Sequence, residues 1–360
     1  MHLIHVASGR EWRGGQRQTW LLARELAGTL DGDQVVVTRR GSELARRIAA
    51  DQIPLAAVPW RLGIDPRPLP TILTHARQPA AILHAHDPHS LALADWVSRR
   101  TGAIVIATRR ATFPIRRPGI WQRARRIIAL SQAIAQRLVA DGIAPERITV
   151  IPSGVDLAAV RATTPIDVRQ QLGIQRGAPI IATVAALTPE KGHRTLLAAA
   201  ALLVGRLGES APHWLLLGDG PLRSALAAEA RRLGLASTVH LAGHVPDPLG
   251  YLAAADIALL PSESEGLGST LLDAMALGRP IVASAVGGIP EALADGAGSL
   301  VPPGNADALA RAVQDILTQP ALAAAFGARA VQQVERFGLD RMAAATRSVY
   351  RSLAHTPEGA

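Results

Sequence analysis

Apolar runs of four to six residues alternate with longer segments whose apolar positions recur at helical spacing, almost from end to end of the chain. A strand covered by helices on both faces reads as a near-continuous apolar run, so this alternation predicts a parallel α/β fold. In the first half it predicts strands at 2–7, 34–38, 55–58, 81–85, 103–107, 127–130 and 147–151, with helices near 15–29, 42–50, 66–77, 88–100 and 131–141. In the second half strands at 179–185, 213–217, 238–241, 256–260, 280–284 and 299–301 alternate with helices near 190–206, 220–233, 268–277 and 305–317. Beyond Pro320 the pattern is purely helical to about Leu353. Each half thus carries its own doubly wound set, giving domains at 1–160 and 178–335. The polar stretch 161–177 reads as a linker, and the segment 336–360 as a C-terminal helix packing back toward the first domain. In open parallel sheets the ligand crevice lies at the carboxyl ends of the strands, so the expected site is the cleft between the two domains.

Composition agrees with two domains. The 360 residues are 48% hydrophobic, with 32 glycines and 25 prolines, which suits two cores of about 150–180 residues each. Repeat solenoids, collagen-like chains and disordered tails are excluded. No stretch reaches about 18 apolar residues without a charge, and the chain opens on the strand-like Met1-His2-Leu3-Ile4-His5-Val6, so a soluble, cytoplasmic protein is expected. The absence of cysteine removes disulfides, thiolate metal sites and cysteine nucleophiles from the available chemistry.

The formal net charge of +9 is unevenly spread: residues 1–165 hold 23 basic and 12 acidic side chains, residues 166–360 hold 15 and 17. Arg109, Arg110, Arg116, Arg117, Arg123, Arg125 and Arg126 crowd one short stretch, interleaved with Phe113, Ile115, Ile120 and Trp121. Such a segment is either a solvated face or a contact for something anionic, with an acidic bilayer surface or a phosphorylated acceptor ahead of nucleic acid. No recognition-helix, zinc-finger or RNP-like signature accompanies it, so no nucleic-acid partner is expected.

Three loops carry candidate chemistry. Ser8 to Gln16, with Gly14 and Gly15, follows the first strand; glycines at a strand-to-helix turn let backbone N–H groups approach an anion, or simply make a tight turn. Their spacing is not the dinucleotide fingerprint, and Gly218-Asp219-Gly220 is an isolated G-x-G. Lys191, in Pro189-Glu190-Lys191-Gly192, is the only lysine in the chain against 37 arginines, and a compact ammonium at a helix start suits a phosphate oxygen. In Pro261 to Met275, Glu265 in a glycine-bearing loop precedes Asp273 by eight positions on the following helix. Two such carboxylates hold a diol-rich ligand at two points, while the N–H groups near Gly268 to Thr270 and the helix dipole favour negative charge. The alternative is a loop acid and a helix-start acid with no ligand.

These segments resemble, in order along the chain, those of family-4 retaining glycosyltransferases of the GT-B fold, bacterial envelope or exopolysaccharide type. Glu265 to Asp273 is similar to their E-x7-E element, here E-x7-D; Glu190-Lys191-Gly192 to their E-K-G; Gly287-Gly288-Ile289-Pro290-Glu291 to their G-G-I-P-E; and Gly14-Gly15 to their N-terminal glycine loop. The resemblance implies two Rossmann-like domains facing across a cleft, the first binding acceptor and the second a nucleotide diphosphate-sugar. It implies that Lys191 contacts the donor diphosphate, Glu265 the transferred sugar, Asp273 the ribose and residues 266–270 the phosphates, with Gly14 and Gly15 beside them. His86, in His84-Ala85-His86-Asp87, matches the family's active-site histidine, although His84 shares its strand parity.

The implied reaction moves a sugar with retained configuration to a hydroxyl of a glycan or lipid-linked acceptor, in cell-envelope polysaccharide or lipopolysaccharide synthesis. A lysine and a helix N-terminus stand in for a metal, so no cofactor and no divalent ion are expected; Asp31-Gly32-Asp33, the one D-x-D, reads as a turn. Arg109, Arg110, Arg116 and Arg117 are expected at the acceptor or at an anionic membrane, making the protein peripheral on the inner membrane face. The family's arginine before the leucine preceding E-K-G is here Ala186, and Arg13, Arg194 or Arg223 are the candidate replacements. That gap leaves two rival readings: a nucleotide-sugar or glycan-binding module without turnover, and a sugar-nucleotide epimerase on the same architecture.

Overall fold

In the computed structural model, which describes residues 1–61 and 63–354, the chain divides into two compact units, one of residues 1–154 with 337–354 and one of residues 155–336. The first unit holds a seven-stranded, all-parallel sheet of β1 (His2–Ala7), β2 (Asp33–Arg39), β3 (Leu55–Val58), β4 (Ala81–Ala85), β5 (Ile104–Arg109), β6 (Arg126–Ala129) and β7 (Ile148–Val150). Their spatial order is β3-β2-β1-β4-β5-β6-β7. The second unit holds β8 (Ile180–Val184), β9 (His213–Leu217), β10 (Val239–Gly243), β11 (Ile257–Leu260), β12 (Ile281–Ser284) and β13 (Ser299–Val301), again parallel, in the order β10-β9-β8-β11-β12-β13. Both sheets therefore reverse direction once, between β1 and β4 in the first and between β8 and β11 in the second. These reversals are where a doubly wound sheet opens a crevice at its strand ends.

Each sheet is sealed by its own core. Leu3, Ile82, Ile106 and Ile128 of the first sheet pack with Leu21, Leu22 and Leu26 of the helix Gly14–Leu26 and with Met342, Val349, Tyr350 and Leu353 of the last helix, Leu339–Ala354. That last helix thus supplies a face of the first unit's core; residues 355–360 lie outside the described residues. Ile181, Trp214, Leu216, Ile257, Leu259 and Val282 form the second core with Leu196, Ala200 and Leu203 of the helix His193–Leu207 and with Leu309 and Val313 of the helix Ala306–Thr318.

The expected linker, 161–177, has structure of its own, and residues 155–160, expected in the first domain, belong with it to the second unit. Short helices at Leu157–Arg161 and Val168–Leu172 are each capped by an aspartate, Asp156 and Asp167, whose side chains accept from the N–H groups three positions on, at Ala159 and Gln170. Ile166 donates to the Gly250 carbonyl at 3.1 Å, so this segment packs within the second unit. A short helix, Pro118–Arg123, also lies inside the arginine-rich stretch.

Candidate functional site

At the reversal of the first sheet, the loop after β1 and the loop after β4 are bound together by Asp87. Its carboxylate accepts from the Ser8 N–H at 2.7 Å and the Ser8 hydroxyl at 2.6 Å, and it caps the helix Pro88–Thr101 through the N–H groups of His89 and Ser90. This tether holds His84 and His86 at the end of β4 beside β1, where His5 is the register partner of His84. The three imidazoles are buried and in contact, His5 stacked on His86 with ring centroids 5.2 Å apart and His84 tilted against His86 at 4.1 Å.

Their hydrogen bonds separate the two histidines that strand parity does not. His84 is saturated, with Nδ1 2.6 Å from the Tyr350 hydroxyl and Nε2 2.7 Å from Thr108 Oγ1. His86 Nε2 lies 2.9 Å from His5 Nδ1, while His86 Nδ1 is buried with no hydrogen-bond partner among the described residues. Burial holds His86 and His84 well below the usual imidazole range, helped for His86 by the neighbouring His84, His5 and Arg110; burial likewise lowers His5 to about 4 against a smaller opposing pull from Gln34. All three rings are neutral at neutral pH.

Arg110 completes this cluster. Its guanidinium, drawn down to about 10 by burial and only partly restored by Asp87, lies against Gly15 at the start of the helix Gly14–Leu26, and its Nε has no hydrogen-bond partner among the described residues. Gly14 and Gly15 form the first turn of that helix, whose N-cap, Arg13, makes no side-chain cap. The neighbouring Arg109 departs from expectation. It is the last residue of β5, it is buried, and its guanidinium donates to the Phe113 carbonyl and sits 5.4 Å from the Trp121 ring. An arginine so enclosed does not face a membrane. Arg116 and Arg117 are exposed, as is Phe113.

At the reversal of the second sheet, the segment after β8 and the loop after β11 meet. Glu190 accepts through its carbonyl from the Glu263 N–H at 2.9 Å, and Lys191 Nζ donates to Glu265 Oε2 in a partly buried ion pair. The approach depends on Gly192. Its φ is +65°, and a Cβ there would stand 1.9 Å from the Pro261 carbonyl oxygen, so no larger residue fits between the two loops.

Glu265 is further fixed by the Ser262 hydroxyl and the Gly266 N–H. Leu267 is buried, Gly268 caps the helix Ser269–Ala276 with φ +85°, and the Thr270 hydroxyl is committed to the Val184 carbonyl at 3.1 Å, anchoring this helix start to β8. Asp273 is buried beyond the first helical turn, which sets aside the reading of it as a helix-start acid. Residues 266 to 270 thus present the open N–H end of a helix beside the Lys191–Glu265 pair. Of the candidate replacements for the absent arginine, Arg194 lies 3.8 Å from Glu229, Arg223 donates to the Leu241 carbonyl and Arg13 pairs with Glu11. Ala186 uses its carbonyl to hold His193 Nε2 at 2.9 Å.

Two family descriptions match the chain over most of its length: Glycosyltransferase Family 4 over residues 12–159 and Glycosyl transferases group 1 over residues 166–333. The chain belongs to the group 1 glycosyltransferases, with a family-4 N-terminal domain. Among its relatives are D-inositol 3-phosphate glycosyltransferase 2 of Catenulispora acidiphila, 37% identical over 63% of this chain and 56% of that protein, and D-inositol 3-phosphate glycosyltransferase of Streptomyces scabiei, 34% identical over 66% and 56%. The chain spans a little over half the length of these relatives. Among solved structures, Anabaena Alr3699/HepE in complex with UDP-glucose covers 98% of this chain and 100% of its own with a TM-score of 0.86 at 20% identity. Sucrose-phosphate synthase of Thermosynechococcus elongatus gives 0.80 at 23%, over 98% of each chain. At those identities the likeness is one of fold, and the fold is GT-B.

The relatives named above are called after D-inositol 3-phosphate, and their names do not bear out the envelope or exopolysaccharide type of the resemblance. Two residues of the first cluster, His5 and Gln34, were not singled out by sequence. The available signal was a histidine between the apolar pairs Leu3-Ile4 and Val6-Ala7 of β1 and a glutamine opening the apolar run of β2, both buried.

Proposed function

We propose that this protein is a retaining glycosyltransferase that moves a sugar from a nucleotide diphosphate-sugar to a hydroxyl of an acceptor bound by its first unit. The observation that carries the reading is the Lys191–Glu265 pair beside the open helix end at 266–270, set at the reversal of the second sheet. An ammonium and oriented N–H groups stabilise the negative charge that builds on the departing diphosphate. Lys191 has three donors, so it holds Glu265 and a phosphate oxygen together. Glu265 then takes the transferred sugar's hydroxyls and Asp273 the ribose. In the reaction the bond from the anomeric carbon to the diphosphate breaks, a bond to the acceptor oxygen forms on the same face, and the acceptor proton passes to the leaving phosphate. With the charge met by Lys191 and the helix end, no divalent ion is required.

The HepE complexes with UDP and UDP-glucose make UDP-sugars the first donors to test. For the acceptor, the relatives' inositol phosphate substrate and the half-buried Arg110 near His86 both favour a phosphorylated polyol, whose anionic group the guanidinium meets. A second reading keeps the lipid-linked envelope acceptor. Exposed Phe113 beside exposed Arg116 and Arg117 is the arrangement of a peripheral contact with anionic lipid, on the cytoplasmic face of a membrane. Among the described residues no helix is long and apolar enough to cross a membrane.

The test is product analysis: the protein with each UDP-sugar and either a phosphorylated polyol or a lipid-linked acceptor, the new anomeric proton read by NMR. A new glycosidic bond in the donor's configuration supports the reading. An altered free sugar nucleotide would assign an epimerase, and donor binding without turnover a binding module. Flotation with acidic liposomes, lost in an Arg116→Ala/Arg117→Ala variant, decides for the membrane reading.

A further inference from the structure

We infer that Gln34 and His5 are positioning residues that fix the tautomer of His86, leaving its Nδ1 lone pair to accept the hydrogen of a substrate hydroxyl. The inference rests on the proposed glycosyl-transfer reading for the role of His86 and on hydrogen-bond geometry with burial of the rings for its tautomer.

The chain of constraints starts at a backbone carbonyl. Ala23 O accepts from Gln34 Nε2 at 2.8 Å, and a carbonyl can only accept, so the Gln34 amide has one orientation and its Oε1 faces His5. Oε1 is 3.2 Å from His5 Nε2 and is likewise only an acceptor, so His5 Nε2 carries the proton. His5 is buried and neutral, which leaves its Nδ1 bare. His86 Nε2, 2.9 Å from that bare nitrogen, must therefore carry a proton and donate it. His86 is neutral too, so its Nδ1 is an unprotonated acceptor.

That atom is the one with nothing to accept from. It is buried, no described residue donates to it, and the His84 ring, tilted against His86 with centroids 4.1 Å apart, has both of its nitrogens engaged with Tyr350 and Thr108. A buried acceptor left open at the reversal of a doubly wound sheet is matched by a hydroxyl donor. Had Gln34 been an apolar residue, His5 would be free to protonate on either nitrogen. His86 would then present N–H or lone pair indifferently, and half of its population would oppose a hydroxyl donor.

The test is a two-bond proton–nitrogen spectrum of the full-length protein labelled with 15N-histidine, the His86 signals assigned by a His86→Asn variant. The expected result is a neutral His86 with protonated Nε2 and bare Nδ1 in the parent, and a mixed tautomer in Gln34→Met. With that mixing, kcat falls about twofold, in proportion to the productive tautomer, while the donor KM is unchanged. A parent His86 protonated on Nδ1 or on both nitrogens overturns the inference, as does a Gln34→Met protein that keeps both tautomer and kcat. The parent spectrum decides even if Gln34→Met does not fold. Zinc retained stoichiometrically through EDTA dialysis would also overturn it, because a metal between His5 and His86 needs both facing nitrogens bare. A parent with the expected tautomer that turns over no nucleotide-sugar upholds the tautomer and counts against the functional reading alone.

Discussion

Lys191 and Glu265, 74 positions apart, are joined as an ion pair where the β8 and β11 loops meet. With no other lysine in the chain and each candidate arginine engaged elsewhere, this ammonium is the cation that the E-K-G segment brings to the reversal of the second sheet, where the proposed donor would bind. Glu265 keeps it in place, and is kept in place by it.

Lys191→Ala removes the proposed phosphate contact together with the partner of a partly buried carboxylate. The expected loss is about 10²–10³-fold in kcat, with Lys191→Arg recovering little because the planar fork is longer than the gap the ammonium fills. Steady-state kinetics with the best UDP-sugar checks this; a change below about threefold would remove Lys191 from the leaving-group role.

Gly192→Ala is expected to be far costlier than an exposed glycine substitution. A methyl group at φ +65° would overlap the Pro261 carbonyl, so the β8 and β11 loops must part. Destabilisation of about 2 kcal/mol or more, with donor binding lost as well, is the expected outcome of denaturant titration and calorimetry. By contrast, Gly41→Ala, whose added carbon meets nothing within 4 Å, should retain donor binding.

Stability should fall as the solution is acidified from pH 7 to pH 5. His5, His84 and His86 are held neutral in the fold below the ordinary imidazole value of 6.5, so between 6.5 and their lowered values the unfolded chain binds protons that the folded one does not. Unfolding is then favoured by acid, by about 1.4 kcal/mol per pH unit for each such histidine, and for His5 the window closes at about 4. Thermal unfolding across this range should show a falling Tm and proton uptake on unfolding, with a shallower slope in His5→Asn. A flat Tm would mean that these rings charge within the fold.

Tyr350→Phe leaves the buried His84 Nδ1 without its hydroxyl partner and without water to replace it. A loss of about 1–3 kcal/mol is expected from chemical denaturation. Because His84 makes no hydrogen bond to His86, the kcat of the folded variant should change little.

Much of the fold was legible because parallel strands leave apolar runs that helices interrupt. The strands at 2–7, 55–58, 81–85, 213–217 and 299–301 fall as the pattern predicts, and the others differ by a residue or two at their ends. The helices Leu157–Arg161 and Val168–Leu172 escaped detection because each is little more than a turn started by an aspartate cap, too short to show a period. Pro118–Arg123 was hidden by proline, glycine and arginine in a run that reads as charge.

The site was legible in its loops and not in its pairings. Lys191, Glu265 and His86 stand out by motif, but nothing local links His5 to Gln34, 29 positions away, or to His86, 81 positions away. Only the β2-β1-β4 order brings them side by side. Arg109 was grouped with its basic neighbours, yet as the end of the run Ile104–Arg109 it is a strand residue, and the strand carries it inward against Trp121.

The most direct test is a thermal-shift titration of UDP-, GDP- and ADP-sugars in EDTA, on the parent and on Lys191→Ala. One nucleotide class at 100 times its Kd should stabilise the parent by about 2.7 kcal/mol and leave the variant unmoved. Stabilisation that needs added metal, or that is equal in parent and variant, would contradict a metal-independent donor site built on Lys191.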